Sequence, residues 1–173
     1  MRIVIDTREQ NPLVFRPAGI VEGTVTKKLN AGDYSVEGME HCIGIERKSP
    51  MDLFGTLGRG NKRFQAELKR ALRLQYFTIV VEAGFTAIRD KAFEGSHRTK
   101  MRPDVALKIL FTLQHKYGVH IHFCNGRAEA SSLVRKLLVS FYEFKTSPPK
   151  FCLGTDMELI RAVQDLKRRI VRK

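Results

Sequence analysis

The sequence has no tryptophan, and its three cysteines, Cys42, Cys124 and Cys152, include no C-x-x-C pair. An odd, scattered set of thiols excludes a disulfide framework and offers no zinc-ribbon spacing, so reduced, buried cysteines are expected. No apolar run is long enough to cross a bilayer, and the N-terminus opens on a strand-like segment instead of a signal-peptide pattern, which points away from membranes and secretion. A membrane-surface helix would need Trp, Phe or Leu opposite a basic face, and only the last helix comes near that pattern. Internal repeats and low-complexity tracts are missing as well. Acidic residues are the remaining scarcity: 18 Asp and Glu stand against 31 Lys and Arg, giving a net charge of +13. A field that positive favours a polyanion, which makes nucleic acid the first partner to consider. The expected compartment is the cytoplasm or the nucleoid.

With 173 residues the chain can bury one proper core, so one domain over residues 1–146 is expected, followed by a basic helical extension over 147–173. Ile3-Val4-Ile5 is an apolar run ending on Asp6, the pattern of a buried strand that delivers a polar group at its end. After the Asn11-Pro12 break come three strand-like pieces: Thr24-Val25-Thr26, Asp33 to Val36, and Cys42 to Lys48. Turns at Ala31-Gly32 and Glu37-Gly38 make these three a meander. Ser49-Pro50 starts a short helix through Leu53 and Phe54. Gly55, Gly58 and Gly60 interrupt it before Phe64, Leu68, Ala71 and Leu72 recur at helical spacing. Tyr76 to Val81 is a buried strand, Ser96 to Arg102 a polar loop, Pro103 to Gly118 a long helix, Val119 to Phe123 a last strand, and Ala128 to Phe144 a last core helix. Beyond the Pro148-Pro149 break, Thr155 and Glu158 form a capping box for a terminal helix. The fold class is α/β, a mixed sheet with helices on both faces.

Alternate residues of a strand point the same way, so Glu46 and Lys48 share a face and Arg47 takes the other. The Gly38 turn folds the preceding strand back and brings Asp33 across from that pair. Two carboxylates beside a lysine suit Mg²⁺, which binds few protein oxygens, keeps waters and takes further ligands from a phosphate. Phosphodiester hydrolysis follows as the reaction class, with Lys48 orienting water or offsetting developing charge. The bland reading of Glu46-Arg47-Lys48 is a solvated edge strand with ordinary charge pairs. Asp6, at a strand end where ligands of α/β sheets bind, is either a site residue or a turn cap.

Ile5-Asp6-Thr7-Arg8-Glu9, Gly32-Asp33-Tyr34, and Ile45-Glu46-Arg47-Lys48 with Ser49-Pro50-Met51-Asp52-Leu53 resemble the nuclease domain of the XPF-type structure-specific endonucleases. Arg63-Phe64, Glu67-Leu68 and the strand ending at Glu82 resemble its later segments, so that the likeness covers residues 1 to 142 in order. The resemblance implies a restriction-endonuclease-like fold and a divalent metal, Mg²⁺ with Mn²⁺ as substitute, held by Asp33 and Glu46. It implies catalytic help from Arg47 and Lys48, with Asp6 completing or supporting the metal shell and Glu9 and Asp52 bordering the site. It also implies a homodimer that cuts branched, flap or fork DNA and uses no nucleotide cofactor. The tandem helix-hairpin-helix module usual in that family has no counterpart after Lys150, so a stand-alone nuclease domain is expected. Because Arg47 faces away from Lys48, anchoring the strand by pairing with an acid such as Asp52 fits its position better than direct chemistry.

Arg59, Lys62 and Arg63 form one basic segment, and His97, Arg98, Lys100 and Arg102 form another. Either is a solvated loop or a phosphate contact, and the overall charge favours contact with DNA. The terminal helix, with Arg161, Lys167, Arg168, Arg169, Arg172 and Lys173, is either a solvated face or a further DNA arm, and the arm is the favoured reading. His120, His122 and Cys124 share a strand face but lack a fourth ligand, so a structural role is expected for them. Two rivals to the nuclease remain: a non-catalytic DNA-binding subunit of a nuclease complex, and a sequence-reading restriction-type enzyme on the same fold.

Overall fold

The computed structural model describes residues 1–147. The expected Pro148-Pro149 hinge, capping box, basic terminal helix and Cys152 lie outside the described residues. Six strands form one sheet: β1 (Arg2–Asp6), β2 (Gly23–Lys27), β3 (Tyr34–Val36), β4 (Ile43–Lys48), β5 (Tyr76–Val81) and β6 (His120–Phe123), in the order β2-β1-β3-β4-β5-β6. β1 runs parallel to β2 and antiparallel to β3, β3 is antiparallel to β4, and β4, β5 and β6 are parallel. The expected three-strand meander is thereby corrected. The short alternating pattern of Thr24-Val25-Thr26 fits a sheet edge, and the largely buried apolar run of β1 takes the interior position between β2 and β3.

Among the described residues five α-helices accompany the sheet: α1 (Pro50–Leu57), α2 (Asn61–Ala71), α3 (Phe85–Arg89), α4 (Pro103–Tyr117) and α5 (Arg127–Thr146). Ser49 caps α1, its hydroxyl accepting from the Asp52 N–H at 3.1 Å, with Pro50 in the first turn where no donor is needed. α4 also starts on a proline and stops at Gly118, whose φ of +61° is a left-handed cap. The short α3 and the 3₁₀ turn Ser96–Arg98 had no periodic signal in the sequence.

Strand alternation divides the core between the two sheet faces. Phe77, Ile79 and Val81 of β5 pack with Leu53, Phe54 and Leu57 of α1, Phe64 and Leu68 of α2, and Leu110 and Leu113 of α4. Ile43 and Ile45 of β4, Val80 of β5 and Tyr34 of β3 pack on the other side against Ala130, Val134 and Leu138 of α5. Arg47 continues the Ile43/Ile45 row towards α5, whereas Glu46 and Lys48 continue the opposite row towards α2. None of the helices among the described residues is long and apolar enough to cross a membrane.

Gly32, just before β3, has a φ of +82°, and a Cβ there would lie 3.0 Å from both the backbone nitrogen and the carbonyl oxygen of Ile45. Only glycine allows that turn to rest on β4. Gly32→Ala is therefore expected to destabilise the protein by about 2–4 kcal/mol and to displace Asp33. Urea denaturation measures this, and an unchanged midpoint would contradict the close approach.

Candidate active site

Asp33 lies in the turn entering β3, and its place is fixed by backbone hydrogen bonds on both sides. Its N–H donates to the Ile45 carbonyl at 2.8 Å, and its carbonyl accepts from the Asp6 N–H at 2.8 Å. Oδ2 accepts from the backbone N–H of Arg47 at 2.8 Å. Glu46 and Lys48, two residues apart on β4, form an ion pair through Oε1 and Nζ. Glu46 is 4% exposed, and its Oε2 is buried with no hydrogen-bond partner among the described residues. Lys48 Nζ also lies 5.2 Å from the centroid of the Phe64 ring of α2, a cation–π contact that holds it on that side of the sheet. The structure thus brings two acids and an amine, Asp33, Glu46 and Lys48, together where the turn into β3 rests on β4.

The electrostatics of the pair follow from burial. Removal from water pushes the Asp33 carboxyl up to about 6, with the Arg47 N–H and the Lys48 ammonium offsetting part of the effect. Burial also drives Glu46 well above the ordinary carboxylate range, and the neighbouring Asp33 charge adds to it. For Lys48, burial works downwards, but the charge and hydrogen bond of Glu46, with Asp33 behind, carry it above its usual value, so it remains an ammonium. An orphaned buried carboxylate oxygen beside a second carboxylate is a poor arrangement for a metal-free protein and a good one for a hard cation. Among the described residues no three His, Cys, Asp or Glu side chains converge as a complete metal cage. A two-carboxylate site suits Mg²⁺, which keeps waters and accepts substrate oxygens.

The other expected site residues are placed differently. Asp6 is buried, and both its oxygens are engaged: Oδ1 accepts from the Arg8 N–H and Nε, and Oδ2 from Arg8 Nη2 and the Leu29 N–H. Its backbone N–H is the group that bonds to the Asp33 carbonyl. Hydrogen bonds from Arg8 and the Leu29 N–H outweigh burial and hold its pKa below the usual value. Arg47 does not pair with Asp52, which is exposed and bonded to Ser49 at the start of α1. Instead the Arg47 guanidinium, 8% exposed, lies between Glu9 at 2.9 Å and Glu82 at 3.2 Å on the α5 side of the sheet. Glu82 in turn accepts from Arg127 at 3.0 Å, and Arg127 donates to the carbonyls of Asn11 and Pro12. Glu9 thus belongs to a buried charge network behind β4. The nearest available acid in sequence, Asp52, was taken up by helix capping.

Two residues beside the site carried no role in the sequence reading. Glu67 of α2 accepts from the Gly32 N–H at 3.0 Å, so α2 holds the turn that presents Asp33, and its charge raises the pKa of both Asp33 and Glu46. Its signal was an acid next to Leu68 on the inward side of an amphipathic helix. Arg8 was legible as an Asp-x-Arg spacing. Arg59, Lys62, Arg63, His97, Arg98, Lys100 and Arg102 are all exposed. A Cβ on Gly58 would lie 3.5 Å from Met101, which puts the two basic segments side by side across the end of α1. Arg102 pairs with Asp104 at 2.7 Å on the exposed surface.

A family model described as the ERCC4 domain matches residues 5–137. No curated protein matches the chain. Among solved structures, XPF from Aeropyrum pernix superposes with a TM-score of 0.59 at 19% identity, covering 84% of this chain and 67% of that one. A second structure, XPF from Aeropyrum pernix in complex with DNA, gives a TM-score of 0.58 at 20% identity, over 82% of this chain and 65% of that one. The chain thus spans about two thirds of those proteins, and the fold it shares with them is restriction-endonuclease-like.

Proposed function

The chain belongs to the ERCC4 domain family, and from that membership we propose that it is a divalent-metal-dependent endonuclease hydrolysing phosphodiester bonds in DNA. The observation that carries this reading is the buried Asp33–Glu46 pair with its orphaned Oε2 beside Lys48. Asp33 and Glu46 would hold Mg²⁺, with Mn²⁺ as substitute. When bound, the ion supplies Lewis-acid polarisation of the phosphate and a water of lowered pKa. Lys48 keeps its proton and offsets the negative charge that builds on the phosphate oxygens. Glu67, through the Gly32 N–H, and Arg47, through its own N–H, fix the direction in which Asp33 points. Arg47's side chain acts from the rear, by holding β4 in place.

The substrate class we assign is branched DNA, cut by a homodimer. The exposed basic segments around Arg59, Lys62 and Arg63 and around Arg98, Lys100 and Arg102 hold backbone phosphates without reading bases. The fold's relative solved with DNA supports a polynucleotide on this scaffold. The cytoplasm or nucleoid is the matching compartment.

Incubating the protein with flap, fork and plain duplex DNA, with and without Mg²⁺, tests the proposal. Metal-dependent cutting of the branched substrates is expected, lost in Asp33→Ala. Equal cleavage by that variant would refute the site. Tight binding with no cleavage of any substrate would select a non-catalytic subunit, and uniform cutting of one short duplex sequence would select a restriction-type enzyme.

A further inference from the structure

Arg8 stands two residues beyond the end of β1, and its orientation is set by a buried carboxylate. Its backbone N–H and Nε donate to Oδ1 of Asp6 at 2.8 and 2.7 Å, and its Nη2 reaches Oδ2 at 3.1 Å and the Leu29 carbonyl at 2.8 Å. Asp6 itself is 2% exposed and is held further by the Leu29 N–H at 2.5 Å. The arginine side chain is nevertheless 55% exposed, and its Nη1 donates no hydrogen bond among the described residues. One edge of the guanidinium is therefore locked to the protein while the other meets water.

Its location gives that free edge a purpose. The Asp6 N–H donates to the Asp33 carbonyl, so the turn carrying Arg8 starts directly beside the metal-binding acid. The carboxylates of Glu67 and Asp33 are near enough to reinforce the guanidinium charge. Burying a carboxylate is unfavourable unless its hydrogen bonds compensate, and here those bonds serve to orient one arginine. A guanidinium held in one plane by Asp6 and Leu29 presents the two N–H donors of Nη1 to a phosphate oxygen in a set direction, which a flexible ammonium does not.

We propose that Arg8 binds a backbone phosphate of the DNA strand next to the scissile bond through its free Nη1 edge, and that Asp6 is the positioning residue that holds it there. This inference rests on the nuclease reading above. It accounts for a buried acid at the end of β1 without making it a metal ligand.

Binding of fluorescently labelled flap DNA, measured by anisotropy in EDTA across a salt series, tests it independently of chemistry. Arg8→Gln is expected to bind about tenfold more weakly at moderate salt, and the slope of log K against log salt is expected to be shallower by about 0.9, the value for one phosphate. Arg2→Gln, at the opposite end of β1, should keep the slope of the unaltered protein. Arg8→Lys retains the charge and loses the fixed direction of the Nη1 donors, so it should keep the slope while binding several-fold more weakly. Unchanged affinity and slope in Arg8→Gln would overturn the proposal, as would a loss of affinity with no change of slope. If Arg8→Gln does not fold, unchanged affinity in Arg8→Lys overturns it instead. A wild-type protein that cuts no DNA while these binding results hold would remove the nuclease reading and leave Arg8 as a phosphate contact.

Discussion

Asp33→Asn is expected to melt higher than the unaltered protein at pH 8 and to cut DNA on the order of 10³-fold more slowly, the scale of losing one transition-state charge contact. Both effects come from the same burial. The Asp33 carboxyl titrates at about 6 in the folded chain against an ordinary 3.8, because ionising it there means stripping it of water. A group raised in this way favours the folded state while it is protonated. That contribution is complete below the unfolded value and is lost as pH rises through about 6. At pH 8 the metal-free protein therefore carries the ion at full cost, and an amide of the same shape does not. A shift of this size allows a gain of about 2 kcal/mol, or about 4–8 °C for a domain of this length. The advantage of Asp33→Asn should shrink towards pH 5. Added Mg²⁺ should raise the wild-type midpoint and leave that of the variant in place. If the variant melts no higher at pH 8, or if its advantage persists unchanged into acid, the account of the buried pair is wrong.

Arg47→Met is expected to have the opposite character, a large loss of stability that precedes any question of catalysis. The guanidinium lies between Glu9 and Glu82, whose side chains are 5% and 9% exposed. Removing it leaves two carboxylates out of water, with Arg127 compensating only one of them. Breaking a buried pair in this way costs about 3–5 kcal/mol, a large fraction of a domain's total stability. Adding Glu9→Gln to Arg47→Met removes one stranded charge and should restore part of the loss, giving a coupling energy between the two positions. Urea denaturation of the single and double variants reads this out. An Arg47→Met protein as stable as the wild type but inactive would instead place the side chain among the reacting groups.

Much of the site was legible because it depends on short-range rules. The period of two along β4 separates Glu46 and Lys48 from Arg47 without any knowledge of the partners. The Gly38 turn needs only a hairpin to bring Asp33 opposite them. The helix starts at Ser49-Pro50 and Pro103, and the apolar run of β5, are local in the same sense. The parts that escaped are long-range. Nothing in Thr24-Val25-Thr26 says that it pairs with β1 instead of β3, since both choices satisfy its alternation. Arg47 finds its acids 38 positions earlier and 35 positions later in the chain, so the sequence neighbour Asp52 was a natural but incorrect partner. Glu67 reaches Gly32 across a similar separation. Asp6 was legible as a residue completing or supporting the site, but not the partners of its oxygens, Arg8 two places on and the Leu29 N–H far along the chain.

Three consecutive side chains of β4 divide their duties between opposite sides of one sheet. A copy of this chain kept only as a folded partner could lose Asp33, and could exchange Glu46 and Lys48 together as a pair. It could not drift at 9, 47 and 82 without collapsing. Within the Glu46-Arg47-Lys48 triplet, a surviving arginine with altered flanks would thus mark a retired enzyme that still folds, and an altered arginine between intact flanks should almost never be inherited.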